Sequence, residues 1–319
     1  MVRRGTDVLR PAYGGTVRVA IIGFGRAGRQ HVEAINRAGN VSLHSVLESS
    51  ENVDVSPHLR APSWAAVLDD PAIDAVALCV PPDRHAPLAT EALAAGKAVL
   101  LEKPPTTSVA ELDDVIAAGG VAAVMLQHRF RIPAEAPADW NGRSAATLLV
   151  SRPRDTEHYT GWRGDPAQAF GGITAHLGVH YLDIACQLLG EVERVEIGDH
   201  RECAPGIDVR VSGTVVFRSG ATLAFCVAAD AGARLEQLVV LGEGGRRFEV
   251  TDGVTTVHDG QGGVGRRSAA TATALDLRTR VYEEFAAGPR LSALSRARPA
   301  LVVLEEIRRA GSPAEAVAR

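Results

Sequence analysis

Two histidines four residues apart, His176 and His180, stand in the stretch GGITAHLGVHYLD (171–183), with Asp183 three residues further on. At helical pitch, residues spaced by three and four share a face, so His176, His180, Asp183 and Gln187 form one polar stripe. Imidazoles in such a stripe can grip a metal, accept a proton near neutral pH, or sit satisfied in a core. The metal reading fails locally. A zincin helix needs Glu directly after its first histidine as general base, and that position is Leu177. No metal is therefore expected. Ile173, Leu177, Tyr181, Ile184 and Leu188 make a second, apolar stripe, so the helix is expected to be largely buried and to line a cavity. The stretch alone does not choose between proton acceptor and core histidine.

A second chemical pattern lies near the start of the chain. TVRVAIIGFGRAGRQHVEAI passes from an apolar run through Gly23, Gly25 and Gly28 into helical spacing, which predicts strand, turn and helix. In such a loop the first glycine makes the turn, the second admits a pyrophosphate, and the third allows close packing, while helix-terminal N–H groups face the phosphates. Gly23, Phe24, Gly25, Arg26, Ala27 and Gly28 are the expected cradle. VSLHSVLESS reads as the next strand, and its terminal acid, Glu48, lies twenty residues beyond Gly28. An acid there accepts hydrogen bonds from the adenosine ribose and repels a 2′-phosphate, so the expected cofactor is NAD rather than NADP.

The elements that must position these groups follow from the rest of the pattern. IDAVALCV, KAVLL and VAAVML are apolar runs of strand length, and HAPLATEALAAG and SVAELDDVIAAGG are helical in composition and end in glycine. Alternating strands and helices predict an α/β fold with a doubly wound parallel sheet, whose ligand crevice lies at the carboxyl ends of the strands. VPPDRH (80–85) and EKPP (102–105) fall at those ends, where a nicotinamide would lie. Further on, DVRVSGTVVF, ATLAFCVAAD, LEQLVVLG and RRFEVTDG succeed one another without helices, which predicts a second α/β domain with an open, predominantly antiparallel sheet. One face would pack on the 171–190 helix and the other on a partner or water, so a homo-oligomer is expected. DGQGGVGRRS, after His258, is a glycine-rich loop (259–268), either a lid or plain surface, and LVVLEEIRRAG predicts a short amphipathic helix.

With 319 residues, the chain suits two domains: a flexible extension over 1–15, a dinucleotide-binding domain over 16–128, and a substrate and oligomerisation domain over 129–319. The net charge of −4 leaves no footprint for nucleic acid or an anionic membrane, and no apolar run reaches membrane-spanning length. A cytoplasmic protein acting on a small molecule is expected. Cys79, Cys186, Cys203 and Cys226 show no paired spacing and read as reduced core residues.

GFGRAGRQH (23–31), VPPDRHAPLATEALAAGKAVLLEKP (80–104) and GGITAHLGVHYLD occur in the order found in the Gfo/Idh/MocA oxidoreductases, which the chain resembles in both halves. The resemblance implies a Rossmann domain followed by an α/β domain. It further implies Lys103 as the active-site lysine and His180 as the catalytic histidine, with Val80, Pro81, His85 and Glu102 near the cofactor. GWRGDPAQAFGG resembles the family's UDP-N-acetylglucosaminuronate 3-dehydrogenase branch. Position 176 is Asp in inositol-dehydrogenase-like members and usually Asn in that branch; it is His here, so a shared proton relay does not carry over. The stretch RIPAEAPADWNGRSA is also short, without a helix common in the family.

His176 is expected to touch substrate, orient His180 or pass on its proton, and Asp183, counted with the substrate-binding residues, to hold the helix or the His180 ring. Arg129, Tyr159, Trp162 and Arg163 are expected to border the same site, where aromatic and guanidinium groups suit sugar rings and phosphates. The expected activity is oxidation of a secondary hydroxyl, at C3 of a hexose in a nucleotide sugar. An aminoglycoside, another glycoside or a cyclitol is the alternative substrate, and ketone reduction the reverse reaction. The alternative from another class is a non-catalytic NAD-binding sensor or assembly subunit, which would need neither Lys103 nor His180.

Overall fold

The computed structural model describes residues 15–133, 140, 142–260 and 268–311. All but the last residue of the expected N-terminal extension, the middle of RIPAEAPADWNGRSA and the glycine-rich part of the 259–268 loop lie outside them. The chain divides into two compact units: Met1–Gln127 with Ala274–Arg296, and His128–Thr273 with Ala297–Arg319.

The first unit alternates strand and helix: β1 (Val17–Ile22), α1 (Arg26–Arg37), β2 (Val41–Leu47), α2 (Trp64–Asp69), β3 (Ala75–Leu78), α3 (His85–Ala94), β4 (Ala98–Leu101), α4 (Val109–Ala117) and β5 (Ala122–Val124). The strands pair in parallel in the order β2-β1-β3-β4-β5. Every residue of β3 and β4 is buried, which is why these strands read as unbroken apolar runs rather than alternating ones. Strand order reverses between β1 and β3, so a crevice for ligand opens beyond their carboxyl ends.

The second unit contains β6 (Ala145–Ser151), α5 (Pro166–Ala169), α6 (Val179–Leu189), β7 (Val192–Ala204), β8 (Ile207–Phe217), β9 (Thr222–Ala228), β10 (Leu235–Leu241), β11 (Arg246–Thr251), β12 (Val254–Asp259) and β13 (Ser268–Thr271). They form a sheet in the order β13-β12-β11-β10-β6-β9-β8-β7, antiparallel except for the parallel pair β6–β9. Leu148, Val150, Leu238, Val240, Phe225 and Val227 form its buried face. On that side α6 packs on β6 and β10.

The chain then returns to the first unit as α7 (Ala274–Ala287), which packs on α1 and β2. Leu277, Val281, Tyr282 and Phe285 are buried at helical spacing, Asn40 donates to the Glu283 carbonyl (2.8 Å), and Ala293 bridges to Ala123 on β5. The sequence assigned 274–296 to the second domain by contiguity, but its partners lie in the first unit. The last helix, α8 (Arg298–Gly311), belongs to the second unit and packs on α6 and β7; it is the amphipathic helix the sequence predicts. All four cysteines are free thiols. Only Cys186 is fully buried and Cys203 is exposed, which corrects the expectation of four core cysteines. Among the described residues no helix is long and apolar enough to cross a membrane.

The start of the histidine helix is set by one carboxylate. Asp208 on β8 accepts from the N–H groups of Gly172 (2.7 Å) and Thr174 (2.9 Å) and from the Thr174 hydroxyl (2.7 Å). A Cβ at Gly172 would lie 1.9 Å from the Asp208 carbonyl oxygen, so only glycine lets the two backbones meet. Asp208→Ala strands two buried N–H groups; urea unfolding is expected to show a loss of about 3 kcal/mol.

Candidate active site

At the end of β1 the chain turns with the Gly23 N–H donating to the Leu47 carbonyl (2.8 Å), and α1 begins at Arg26 with no side chain capping it. Gly28 lies so close to the turn that a Cβ there would be 2.2 Å from the Gly23 carbonyl oxygen, whereas one on Gly25 would meet nothing within 4 Å. The loop is therefore tight on its inner side and open on its outer side, with Arg26 and Ala27 in the first helical turn beyond it. Free helix-terminal N–H groups facing open space are an anion site. Glu48 closes the second side: its carboxylate accepts from the N–H of Phe24 (2.7 Å) and of Ser50 (2.9 Å), which ties the end of β2 to the glycine loop and leaves lone pairs for ribose hydroxyls. These residues fit a bound NAD.

Val80 and Pro81 follow β3, and Glu102 and Lys103 follow β4. His85 is fully buried, with Nε2 2.9 Å from the Val80 carbonyl oxygen and Nδ1 3.1 and 3.2 Å from those of Pro104 and Pro105. It laces the two loops together instead of facing a ligand, and burial pushes its pKa down. The Lys103–Pro104 peptide is cis. Glu102 is buried too; one carboxylate oxygen is 2.9 Å from His31 Nε2 and the other accepts the Lys103 N–H (3.0 Å). His31 Nδ1 is 2.7 Å from the Tyr282 hydroxyl, and an imidazole protonated on Nε2 serves both neighbours.

Burial by itself would raise the Glu102 pKa. The hydrogen bond from His31 and the positive charges of nearby Arg278 and Lys103 more than offset this and bring it from 4.5 down to about 2. Its folded-state pKa is depressed, so its stabilising contribution is complete above pH 4.5 and is lost as pH falls toward 2.

In the second unit a π turn, Thr174–Gly178, precedes α6. Its extra residue breaks the regular stripe expected from His176 through Gln187, so His176 departs from the helical face that carries His180 and Asp183. The His176 ring meets His158 and Trp162 edge-on, at 5.7 and 5.9 Å between centroids; Tyr159 packs on His158 (5.0 Å), and the Arg163 guanidinium lies 4.7 Å over Trp162. Two 3₁₀ turns, Thr156–Tyr159 and Gly161–Gly164, deliver this cluster. It unites Tyr159, Trp162, Arg163 and His176 and adds His158, which the sequence reading missed. The density of aromatic and basic residues in EHYTGWR was the available signal. The Tyr159 phenol is pushed up in pKa by burial first and by Asp208 second, so it stays a hydroxyl.

His180 is 6% exposed and stacks on His128, with centroids 4.4 Å apart and planes 28° from parallel. His128 also meets Tyr181 edge-on, and the Tyr181 hydroxyl donates to buried Glu236 (2.7 Å). Arg129 differs from expectation, and Asp183 takes the helix-holding role instead of the substrate contact. Both are completely buried, and Arg129 binds Asp183 with two hydrogen bonds of 2.6 and 2.9 Å, while Gln187 donates to the same carboxylate (3.2 Å). They hold the start of the second unit against α6 and are not placed to touch a substrate; each would leave the other an uncompensated buried charge if removed.

A glycine loop at the switch point of a parallel sheet, an acid on its second strand and a separate histidine-bearing α/β unit define a dinucleotide-binding oxidoreductase fold. Residues 17–129 match the GFO_IDH_MocA description "Oxidoreductase family, NAD-binding Rossmann fold", and residues 144–247 match "GFO/IDH/MocA C-terminal domain". The chain belongs to the Gfo/Idh/MocA oxidoreductase family, and its cofactor is NAD. It is 31% identical over 190 residues to scyllo-inositol 2-dehydrogenase (NAD(+)) of Bacillus subtilis, a match that spans 54% of this chain and 54% of that protein, about half the length of each. Among solved structures, a levoglucosan dehydrogenase in complex with NADH and levoglucosan superposes with a TM-score of 0.77 at 18% identity, covering 93% of this chain and 98% of that one. The UDP-N-acetylglucosamine 3-dehydrogenase of Acidithiobacillus ferrooxidans gives a TM-score of 0.75 at 18% identity, covering 92% and 97%. At those identities the two structures speak for the fold.

The asymmetry of the glycine loop can be tested. Gly25→Val places its side chain in open space and is expected to abolish NADH binding, read by fluorescence titration, with an unchanged melting temperature. Gly28→Ala is expected to lower both, with an overpacking cost of about 1–3 kcal/mol.

Proposed function

We propose that the protein is an NAD-dependent dehydrogenase that oxidises a secondary hydroxyl, at C3, in the hexose unit of a nucleotide sugar. The observation that carries the substrate half is the cluster of His158, Tyr159, Trp162, Arg163 and His176. Aromatic faces and imidazole donors suit a pyranose ring, and a guanidinium held over an indole suits a phosphate. NAD held at the Gly23–Gly28 loop and Glu48 would supply the acceptor for the hydride of the carbinol carbon. His180 accepts the hydroxyl proton, and Lys103 donates a hydrogen bond to the reacting oxygen and favours its developing negative charge. The carbon–oxygen double bond forms as the C–H and O–H bonds break, and ketone reduction uses the same groups in reverse. His176 acts first as a substrate contact. The likeness to a scyllo-inositol 2-dehydrogenase favours a cyclitol as the second reading.

NADH formation, followed by absorbance over a panel of nucleotide sugars, aminoglycosides and inositols, tests the proposal. Lys103→Ala and His180→Ala are each expected to lower kcat by about 10²- to 10⁴-fold. Tight NAD binding with no turnover of any panel member, or full activity in both variants, would sink it in favour of a non-catalytic NAD sensor.

The outer face of the second unit's sheet supports a homo-oligomer. Leu149 on β6 and Leu241 on β10 are 40% and 51% exposed, and Val239 lies half-buried between them. Sedimentation velocity is expected to give a dimer or larger species, and Leu149→Arg a monomer; a monomeric parent protein would refute the assignment.

A further inference from the structure

The assignment of Lys103 as the active-site lysine leaves unexplained the buried group beside it. His31 is completely buried on α1, and both its ring nitrogens are engaged within the chain, one by Glu102 and one by Tyr282. A side chain so enclosed cannot reach a cofactor or a substrate. Any effect it has must pass through Glu102, whose other carboxylate oxygen holds the Lys103 N–H. The three members come from α1, from the end of β4 and from α7, the segment that returns to this unit after the whole second sheet.

We propose that His31, backed by Tyr282, is a positioning residue for the nicotinamide end of the site: it fixes the Glu102 carboxylate and, through the Glu102–Lys103 hydrogen bond, the lysine that follows. The inference rests on the reading of Lys103 as the active-site lysine. The groups facing Glu102 are His31 from α1, Tyr282 and Arg278 from α7, and Lys103 itself, while His85 and Cys79 feel its charge from neighbouring segments. Tyr282 stays a hydroxyl because burial raises its pKa, so it orients the imidazole without competing for the proton on Nε2. Without the His31 donor, a carboxylate this buried either takes up a proton in the mildly acidic range, which leaves the Lys103 N–H a neutral and weaker acceptor, or swings away and removes that acceptor.

The test compares His31→Gln, whose amide nitrogen reproduces Nε2 and reaches Glu102, with His31→Asn, which is polar but too short. NADH affinity is titrated by fluorescence on the full chain between about pH 5 and about pH 9, a range in which wild-type Glu102 stays charged. His31→Gln is expected to follow wild type. His31→Asn is expected to bind NADH about tenfold or more weakly at the acid end and to recover through a one-proton step as pH rises. Tyr282→Phe, read the same way and independently of whether His31→Asn folds, is expected to weaken binding about threefold. With a substrate in hand, kcat should fall in His31→Asn while the sugar KM holds. The proposal is overturned if His31→Asn and His31→Gln give superimposable profiles, or if Tyr282→Phe matches wild type at every pH. None of the binding measurements needs turnover, so a failure of the dehydrogenase reading would show separately, in the substrate panel.

Discussion

A carboxylate buried away from water must be fully hydrogen-bonded or it will not stay charged, and this constraint organises the protein. Among the described residues four acids are buried: Glu102, Asp183, Asp208 and Glu236. Each is met by donors far away in sequence. His31 holds Glu102, Arg129 holds Asp183, the backbone at Gly172 and Thr174 holds Asp208, and Tyr181 and Arg152 hold Glu236. Burial of such groups is unfavourable unless geometry is good, so each fixes the relative placement of the segments it joins.

The residues with proposed chemistry sit beside these anchors. Lys103 follows Glu102 directly. His180 lies three residues before Asp183 and next to Tyr181, the donor to Glu236. His176 is two residues beyond Thr174, whose N–H and hydroxyl end on Asp208. Lys103 lies on a turn, where the backbone is least constrained by sheet or helix hydrogen bonding, while His176 and His180 lie in the π turn and the first turn of α6 that continues it. Neighbouring buried charges add rigidity at both places.

Much of this was legible in the sequence, for reasons that differ by element. The glycine loop, β3 and β4 could be read because full burial leaves an unbroken apolar run, and α8 because its apolar positions keep helical period. The motifs in both halves carried the family resemblance, and both family matches bear it out. By contrast, β7 alternates exposed and half-exposed residues with charges along its length, so neither period nor hydrophobicity marks it. Pairings across long separations left no local trace either. Arg129 reads like a surface cation until Asp183, 54 residues on, is seen to take both its donors. The π turn at Thr174–Gly178 is likewise invisible to a 3.6-residue template, and that is why the stripe of polar residues was drawn too straight.

The return of α7 has a consequence for how the protein can be divided. The chain passes from one unit to the other after Gln127, after Thr273 and again after Arg296, so neither unit is a continuous stretch. A fragment ending near residue 128 would carry the whole parallel sheet and the glycine loop, yet it would lack Tyr282 against His31, Glu283 against Asn40 and Ala293 against β5. A single joint therefore cannot move this nucleotide-binding half intact: its transfer needs cuts on both sides of the sheet inserted into it.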